Sequence, residues 1–299
     1  MSEDRGDARR ERSVSSEGDF HCHSNRSDGT RSPSDLVDLA AANGVRIFAL
    51  TDHDTLDGIE EARAAASRHP GFTLIPGVEL SCDVTGTEVH MLGLFVDTEN
   101  AAFRAEIDRM RHGRIQRGER IVEALERLGA RVEWSRVREI AGEASIGRPH
   151  IARALIEAGH VQDVDEAFAR YLDRNSPAYV EREKVVPADA IALIHSANGL
   201  AIFAHPAFTD DLEEVAASLA DAGLDGMEVY YRYYPPEQVE SLRVLAERLG
   251  LTPSGGSDFH GLPRENEHEP GQFEMPGEAI DELLEVARER GCVVPEPTR

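Results

Sequence analysis

Short apolar runs alternate along this chain with segments whose apolar residues recur at helical spacing. Residues 45–50 form an apolar run of the length and composition of a strand buried on both faces, and they end in Thr51-Asp52-His53-Asp54-Thr55. Residues 200–204 repeat the form and end in His205-Pro206. Residues 226–230 and 251–254 do so again, the latter running into Gly255-Gly256-Ser257-Asp258-Phe259-His260. Residues 20–23, 72–81 and 88–96 complete the predicted strands. Between them lie helical segments. Ser32 is placed to cap a helix that opens at Pro33 and is stopped by Gly44. Others are predicted over 57–68, from Pro187 to about 197, and over 211–222, 236–249 and 277–290. This β-α-β alternation, with reactive residues at strand ends, predicts an α/β barrel or an open parallel sheet.

The rhythm breaks once. Over residues 100–180 the pattern is helical throughout: Phe103, Ile107 and Met110, then Ile121, Val122, Leu125 and Leu128 before Gly129, then Ile151, Leu155 and Ile156. The expected organisation is a disordered tail over 1–18, a barrel over 19–99 and 181–299, and a helical subdomain inserted over 100–180. No internal repeat is visible.

Composition narrows the function. The 299 residues are 40% apolar, enough for a real core, and carry 56 acidic against 32 basic side chains, a net charge of −24. Such a shell argues against a broad nucleic-acid surface but leaves room for a nucleotide or an RNA end in a local pocket. Lys184 is the one lysine, so the other basic residues are arginines. Cys22, Cys82 and Cys292 are too few and too scattered for a disulfide framework. No apolar run reaches the roughly 18–20 residues of a membrane span, and the charged, Ser-rich start lacks a signal core, so a cytoplasmic protein is expected.

The candidate chemistry starts at His21-Cys22-His23. On a strand, residues two apart share a face, so both imidazoles aim at one spot. Alone this pair is weak evidence for a metal. It gains force because Asp28, His53, Glu79, His90, His205, Asp258 and His260 recur along the chain, several directly after an apolar run. In parallel α/β folds such strand ends gather at one face. Imidazoles mixed with carboxylates suit Mn, Fe or Zn, and a glutamate among histidines can bridge two ions that activate water and clamp a phosphoryl group.

His21-x-His23, Thr51-Asp52-His53-Asp54-Thr55, Pro76-Gly77-Val78-Glu79, His90, Ala204-His205-Pro206 and Gly256-Ser257-Asp258-Phe259-His260 together resemble the PHP domain, the polymerase and histidinol phosphatase superfamily. The resemblance implies a distorted (β/α)7 barrel holding up to three divalent ions. By it, His21, His23, Glu79 and Asp258 take one ion. Glu79, as a bridge, takes a second with His90 and His205. Asp28, His53 and His260 take the third. Asp28 stands where some relatives carry histidine, which points to Mn2+ ahead of Fe2+ or Zn2+. The expected reaction is in-line attack on phosphorus by a hydroxide held between the Glu79-bridged ions, with Glu79, Asp258 and His53 as its central residues.

The insert sharpens the resemblance. Ile146-Gly147-Arg148-Pro149-His150, Ala167-Phe168-Ala169-Arg170-Tyr171-Leu172 and Pro177-Ala178-Tyr179-Val180 resemble the TrpH-like branch of that superfamily. This implies action on 3′,5′-nucleoside bisphosphates, on 5′-phosphorylated RNA in the 5′→3′ direction, or on both. Pro149 can open a helix and put Arg148 at its anion-favouring mouth, so Arg148, with His150 and Lys184, is expected to contact substrate phosphate. Asp52 and Asp54 are expected to orient imidazoles, or Asp54 to cap the next helix. The tyrosines at 230, 231, 233 and 234 are read as strand-end packing ahead of base stacking. Alternatives are another small-molecule phosphatase such as a histidinol phosphatase, a DNA-directed nuclease, and a metal-stabilised binding module without turnover. No stable protein partner is inferred.

Overall fold

The computed structural model describes residues 16–84, 87–181, 185–232, 234–262 and 267–299. Seven strands among them lie in chain order: β1 (Gly18–Asp19), β2 (Ile47–Leu50), β3 (Thr73–Val84), β4 (Thr87–Leu94), β5 (Leu200–Phe203), β6 (Gly226–Tyr231) and β7 (Thr252–Gly256). β1, β2 and β3 run parallel, as do β5, β6 and β7, whereas β4 is antiparallel to both of its neighbours. The expected barrel is therefore present and its distortion is located. Past their ladders, β1 and β7 meet. The Phe20 amide donates to the Gly255 carbonyl at 3.1 Å, and Cys22 pairs with Phe259, so the sheet curls into a nearly closed barrel.

Helices cover the parallel crossovers: α1 (Pro33–Ala42) and α2 (Ile59–Ala66) on one side, α8 (Leu212–Asp221) and α9 (Pro236–Leu249) on the other, and α10 (Gly277–Glu289) after β7. Ser32 caps α1 as expected, its hydroxyl accepting the Asp35 amide at 3.1 Å. Strand alternation splits β5 between two cores. Ala201 and Phe203 pack outward with Ala216 and Leu219 of α8. Leu200, Ile202 and Ala204 pack inward with Phe20, Ala49, Ile75, Leu92 and Leu94, and α10 closes this inner core with Ile280 and Leu283.

Between β4 and β5 lie α3 (Ala101–Arg127), α4 (Trp134–Ala141), α5 (Arg148–Glu157), α6 (Val164–Ala167), a π-helical turn (Phe168–Leu172) and α7 (Pro187–Ser196). The insert has its own core, drawn from Ile121 to Ala178. Its first helix opens at Ala101, next to the expected start at residue 100, but serves both bodies. α3 is one helix about 40 Å long. Its first part buries Phe103, Ile107 and Met110 on the barrel, and its second buries Ile121 and Leu125 in the insert. One rigid rod thus carries the cap on the barrel.

Two boundaries move. The first ladder lies at Gly18–Asp19 rather than over 20–23, because beyond Asp19 the chain bonds the extension of β7: the Asp258 amide donates to the His21 carbonyl at 2.8 Å and His23 to Phe259 at 3.0 Å. The expected tail ends earlier than residue 18, since Ser16 is buried and its amide donates to Gly271 at 2.8 Å. Residues 1–15 lie outside the described residues.

Gly256 marks the seam. A Cβ there would collide with the His21 Cβ and stand 2.8 Å from its amide nitrogen, whereas one at Gly277 meets nothing within 4 Å. Gly256→Ala is expected to lower unfolding free energy by about 2 kcal/mol or more, and Gly277→Ala to leave it unchanged or raise it by less than about 1 kcal/mol, measured by urea denaturation.

Candidate metal centre

The nine expected ligands converge at one mouth of the barrel around the buried Glu79 carboxylate. Strand alternation puts the His21 and His23 Nε2 atoms 3.0 Å apart, while Cys22 points away, its Sγ 3.2 Å from the Ser257 hydroxyl. Glu79 Oε2 faces His21 Nε2 at 3.2 Å, His23 Nε2 at 3.0 Å and His53 Nδ1 at 3.1 Å. Asp258 Oδ1 lies 3.4 Å and 3.2 Å from the same His21 and His23 nitrogens. Glu79 Oε1 faces His90 Nδ1 at 2.7 Å and His205 Nε2 at 3.3 Å. Asp28 faces His260 Nε2 at 3.3 Å and His53 Nε2 at 3.8 Å. His53 therefore borders both the Glu79 and the Asp28 groups. His90 reaches the same mouth from the beginning of β4 because that strand runs the other way.

Backbone strain and neighbouring side chains aim these groups. His205 (φ 32°) and Asp258 (φ 47°) are left-handed, as is Asp54 (φ 47°). Each such turn costs roughly 1–3 kcal/mol and must be held in place. The buried Glu228 does this for two ligands: Oε2 accepts the His205 amide at 2.6 Å, and Oε1 lies 3.0 Å from His21 Nδ1, which leaves His21 Nε2 for the cluster. His260 Nδ1 bonds the Asp258 carbonyl at 3.0 Å, which leaves its Nε2 for Asp28. The Tyr231 hydroxyl donates to Asp258 Oδ2 at 2.7 Å. Glu228 had a signal in the sequence, a charge inside an apolar strand run. Tyr231 had none beyond its neighbourhood.

The donor set fits divalent ions. Ligand atoms about 2.1 Å from one ion stand about 3.0 Å apart in octahedral and about 3.4 Å in tetrahedral geometry, the range of spacings around Glu79. Buried Glu79 Oε2, Asp28 Oδ1, His23 Nδ1 and His53 Nδ1 make no hydrogen bond, as ligand atoms awaiting an ion would not. Three overlapping groups, His21-His23-Glu79, His53-Glu79-His90 and His23-Asp28-His53-His260, each bring their donor atoms within 4.8 Å of one another.

Burial and charge set the protonation of the metal-free cluster. Burial would push the Glu79 carboxyl up, but His53, His21 and His90 hold it well below the usual carboxylate range. Asp258 is held low by His21 and His260, and Asp28 by His53 and His260, each against the same burial. Burial also opposes charge on His23, yet the carboxylates of Asp258 and Glu79 against its ring raise it to about 10. At His53 burial, helped by the charges of His23 and Arg114, outweighs Glu79 and Asp28 and lowers it to about 3.

A cavity of about 250 Å³ sits between this cluster and the insert. Asp28, His53, His90, Asp258 and His260 form its floor, and Arg114, Arg117, Arg148 and Arg232 stand in its wall. Arg148 opens α5 as expected, its guanidinium stacked over Phe168 at 5.5 Å. The expectation for His150 is corrected. It is buried outside the cavity wall, and its Nδ1 accepts the Gly147 amide at 3.0 Å, capping its own helix. Lys184 lies outside the described residues. Arg114 and Arg117 are not legible among many arginines, since helical spacing alone does not say which face of α3 meets the barrel, and Arg232 follows β6, where the sequence does not say which way it turns.

The two aspartates beside His53 brace the loops around the cluster. Asp52 accepts the Ser24 amide at 2.7 Å and the Ser24 and Ser27 hydroxyls at 2.6 Å, fixing the loop that carries Asp28. Asp54 pairs with Arg114 of α3, whose Nη2 also donates to Ser81 at 2.9 Å. The remaining histidines bond locally: His69 to Asp38 at 2.6 Å, His195 to Asp225 at 2.7 Å, and His112, His160 and His268 to backbone carbonyls. All three cysteines are buried away from the cluster's donor atoms.

A nearly closed barrel with imidazoles and carboxylates gathered at one mouth defines a metal-dependent hydrolase. Within that class the chain belongs to the PHP domain family, which residues 19–181 match. It is 35% identical over 261 residues to the 3′,5′-nucleoside bisphosphate phosphatase of Chromobacterium violaceum, covering 86% of this chain and 91% of that one. It is 36% identical over 246 residues to a 5′-3′ exoribonuclease of Haemophilus influenzae, covering 81% and 89%. A solved structure of an amidohydrolase from Chromobacterium violaceum, with bound sulfate and no metal, superposes with a TM-score of 0.82 at 32% identity, covering 92% of this chain and 97% of the other.

Two outcomes follow from the cluster. His23 carries a proton at pH 7 in the metal-free protein, so metal loading is expected to release protons, seen by calorimetry as a heat that depends on the buffer's ionisation enthalpy. The stability that charged His23 supplies is fully present below its ordinary value of 6.5 and is lost as pH rises through about 10, so metal-free protein should melt earlier over that window. Glu228→Gln is expected to weaken metal binding about 10- to 100-fold, read by metal titration.

Proposed function

We propose that this protein hydrolyses nucleotide phosphoesters with divalent metal ions. Its substrates are 3′,5′-nucleoside bisphosphates, which lose the 3′-phosphate, and 5′-phosphorylated RNA, trimmed in the 5′→3′ direction. One observation carries the reading: an arginine-walled cavity opens directly onto a floor of clustered imidazoles and carboxylates. A substrate with two phosphates suits that layout, one phosphate on the floor and one against the wall.

His21, His23, Glu79 and Asp258 would hold one ion, Glu79, His90 and His205 a second, and Asp28, His53 and His260 a third. Mn2+ is the first choice among Mn2+, Fe2+ and Zn2+. Bound there, such ions lower the pKa of water and neutralise charge on phosphoryl oxygens. The chain's own residues do the rest. Glu79 joins the two ends of the cluster through its two oxygens. Tyr231 and Glu228 hold Asp258, His21 and His205 in the orientation that ligation needs. Arg148 presents a planar fork that matches a phosphate in two bonds, and Arg114, Arg117 and Arg232 add positive charge to a chain that is otherwise strongly acidic. The proposed place of action is the cytoplasm. Among the described residues no helix is long and apolar enough to cross a membrane.

The test is product analysis. Manganese-loaded protein is expected to release phosphate from adenosine 3′,5′-bisphosphate and mononucleotides from the 5′ end of a short 5′-phosphorylated RNA. Asp258→Asn should lose bound metal and at least about 100-fold in kcat. Hydrolysis of neither substrate by metal-loaded protein would overturn the reading, and full activity of Asp258→Asn at normal metal content would overturn the ligand assignment.

A further inference from the structure

Phe208 ends a short 3-10 turn, Pro206–Phe208, directly after the ligand residue His205. Its side chain is 64% exposed. Five large apolar side chains are exposed among the described residues, namely Leu128, Val186, Phe208, Val244 and Val293, and only Val293 is more so than Phe208. Phe208 is the one aromatic of the five and the one beside the cluster, so its exposure is not general surface scatter. The ring is also held in place. Its centroid lies 6.1 Å from that of His205, 5.8 Å from Tyr231 and 6.0 Å from Tyr234. Tyr231 is tied to Asp258, and the Tyr234 hydroxyl accepts the Ala207 amide at 3.1 Å. One face of an aromatic cluster is thus offered to solvent in a fixed orientation.

Its position relative to the cavity decides what it meets. The arginine-walled cavity touches the cluster at His53, His90, Asp28, Asp258 and His260, and neither His205 nor Phe208 lines it. Phe208 stands outside it, against His205 and against Tyr231, which bonds the cavity-lining Asp258. A substrate with its terminal 5′-phosphate among the arginines and its next phosphate at the cluster has one nucleoside in the cavity. A nucleoside bisphosphate ends there. An RNA continues outward, and the first group past the scissile phosphate is a second nucleoside.

We propose that Phe208 is the stacking platform for the base on the 3′ side of the scissile phosphate, a specificity residue for single-stranded RNA ends over free bisphosphates. The proposal rests on the nucleotide phosphoesterase reading above. A flat, exposed ring accepts any base by its π face, so the platform favours a second nucleotide without choosing its sequence. A duplex end, with its second base paired and stacked within the helix, cannot use it.

The experiment compares three substrates on manganese-loaded wild type and Phe208→Ala: adenosine 3′,5′-bisphosphate, the 5′-phosphorylated dinucleotide pApA, and the same dinucleotide lacking its second base. Stacking of this kind is worth about a tenfold factor or more per base. Phe208→Ala is expected to lower kcat/KM for pApA about tenfold and to leave the other two within about twofold, with Phe208→Trp restoring pApA. Equal loss on all three substrates, or no loss on pApA, overturns the proposal. A second readout needs no turnover: a dinucleotide with 2-aminopurine as its second base and a methylene in place of the scissile bridging oxygen. Its dissociation constant, read from the change in fluorescence on titration, should be about tenfold lower for wild type than for Phe208→Ala, and equal constants overturn the platform. Binding that depends on Phe208 in a wild type that hydrolyses nothing would instead remove the hydrolytic reading and leave the platform standing.

Discussion

The structure turns on one buried carboxylate. Glu79 is 1% exposed, and its two oxygens face five imidazole nitrogens at 2.7–3.3 Å. Removing a carboxylate from water costs roughly several kcal/mol unless positive charge meets it. Here protons on His21 and His23, or divalent ions in their place, supply that charge. The same geometry that makes the site expensive without a counter-charge makes it selective for a cation, since donor spacings near 3 Å leave room for an ion and little else.

Holding the cluster together consumes backbone strain at several strand ends. His205 and Asp258 turn through left-handed conformations that bring their side chains over the barrel mouth. Glu228 accepts the His205 amide, and the His21 carbonyl accepts that of Asp258, so two barrel contacts oppose the strain. Asp19 contributes from below. Its buried carboxylate accepts the amides of Ser257 and Gly271 at 3.0 and 2.9 Å, tying β1 to the loop after β7. Barrel closure and ligand placement are therefore one event, and Gly256 is small because both need the same space.

The cap adds specificity through charge. α3 starts on the barrel and ends in the insert, and along its length it presents Arg114 and Arg117 to the cavity. Arg114 also grips Asp54, next to the ligand His53, so the helix that shapes the substrate pocket is bonded to the loop that carries the chemistry. In a chain of net charge −24, this cluster of guanidinium groups concentrates attraction for phosphate at one place while the acidic exterior discourages loose association with nucleic acid.

By itself the sequence determined the chemistry's ingredients and much of the frame. Short apolar runs ending in His53, His205 and Asp258 announced buried strands with reactive ends, and the i, i+2 spacing of His21 and His23 announced a shared face, because strand and helix periods are local properties. What lay beyond local periods was decided in three dimensions. The antiparallel course of β4, the continuity of α3 across a boundary that looked like a domain edge, and the turning of His150 into its own helix cap all depend on what each segment packs against. Glu228 and Arg232 became part of the site only when β6 was seated beside β7, and Arg114 only when α3 carried it to Asp54 after β2 and to Ser81 of β3. Residues more than 200 positions apart, such as His21 and Asp258, share an ion site because the first and last strands of the barrel meet, and that meeting is a property of closure which no window of sequence contains.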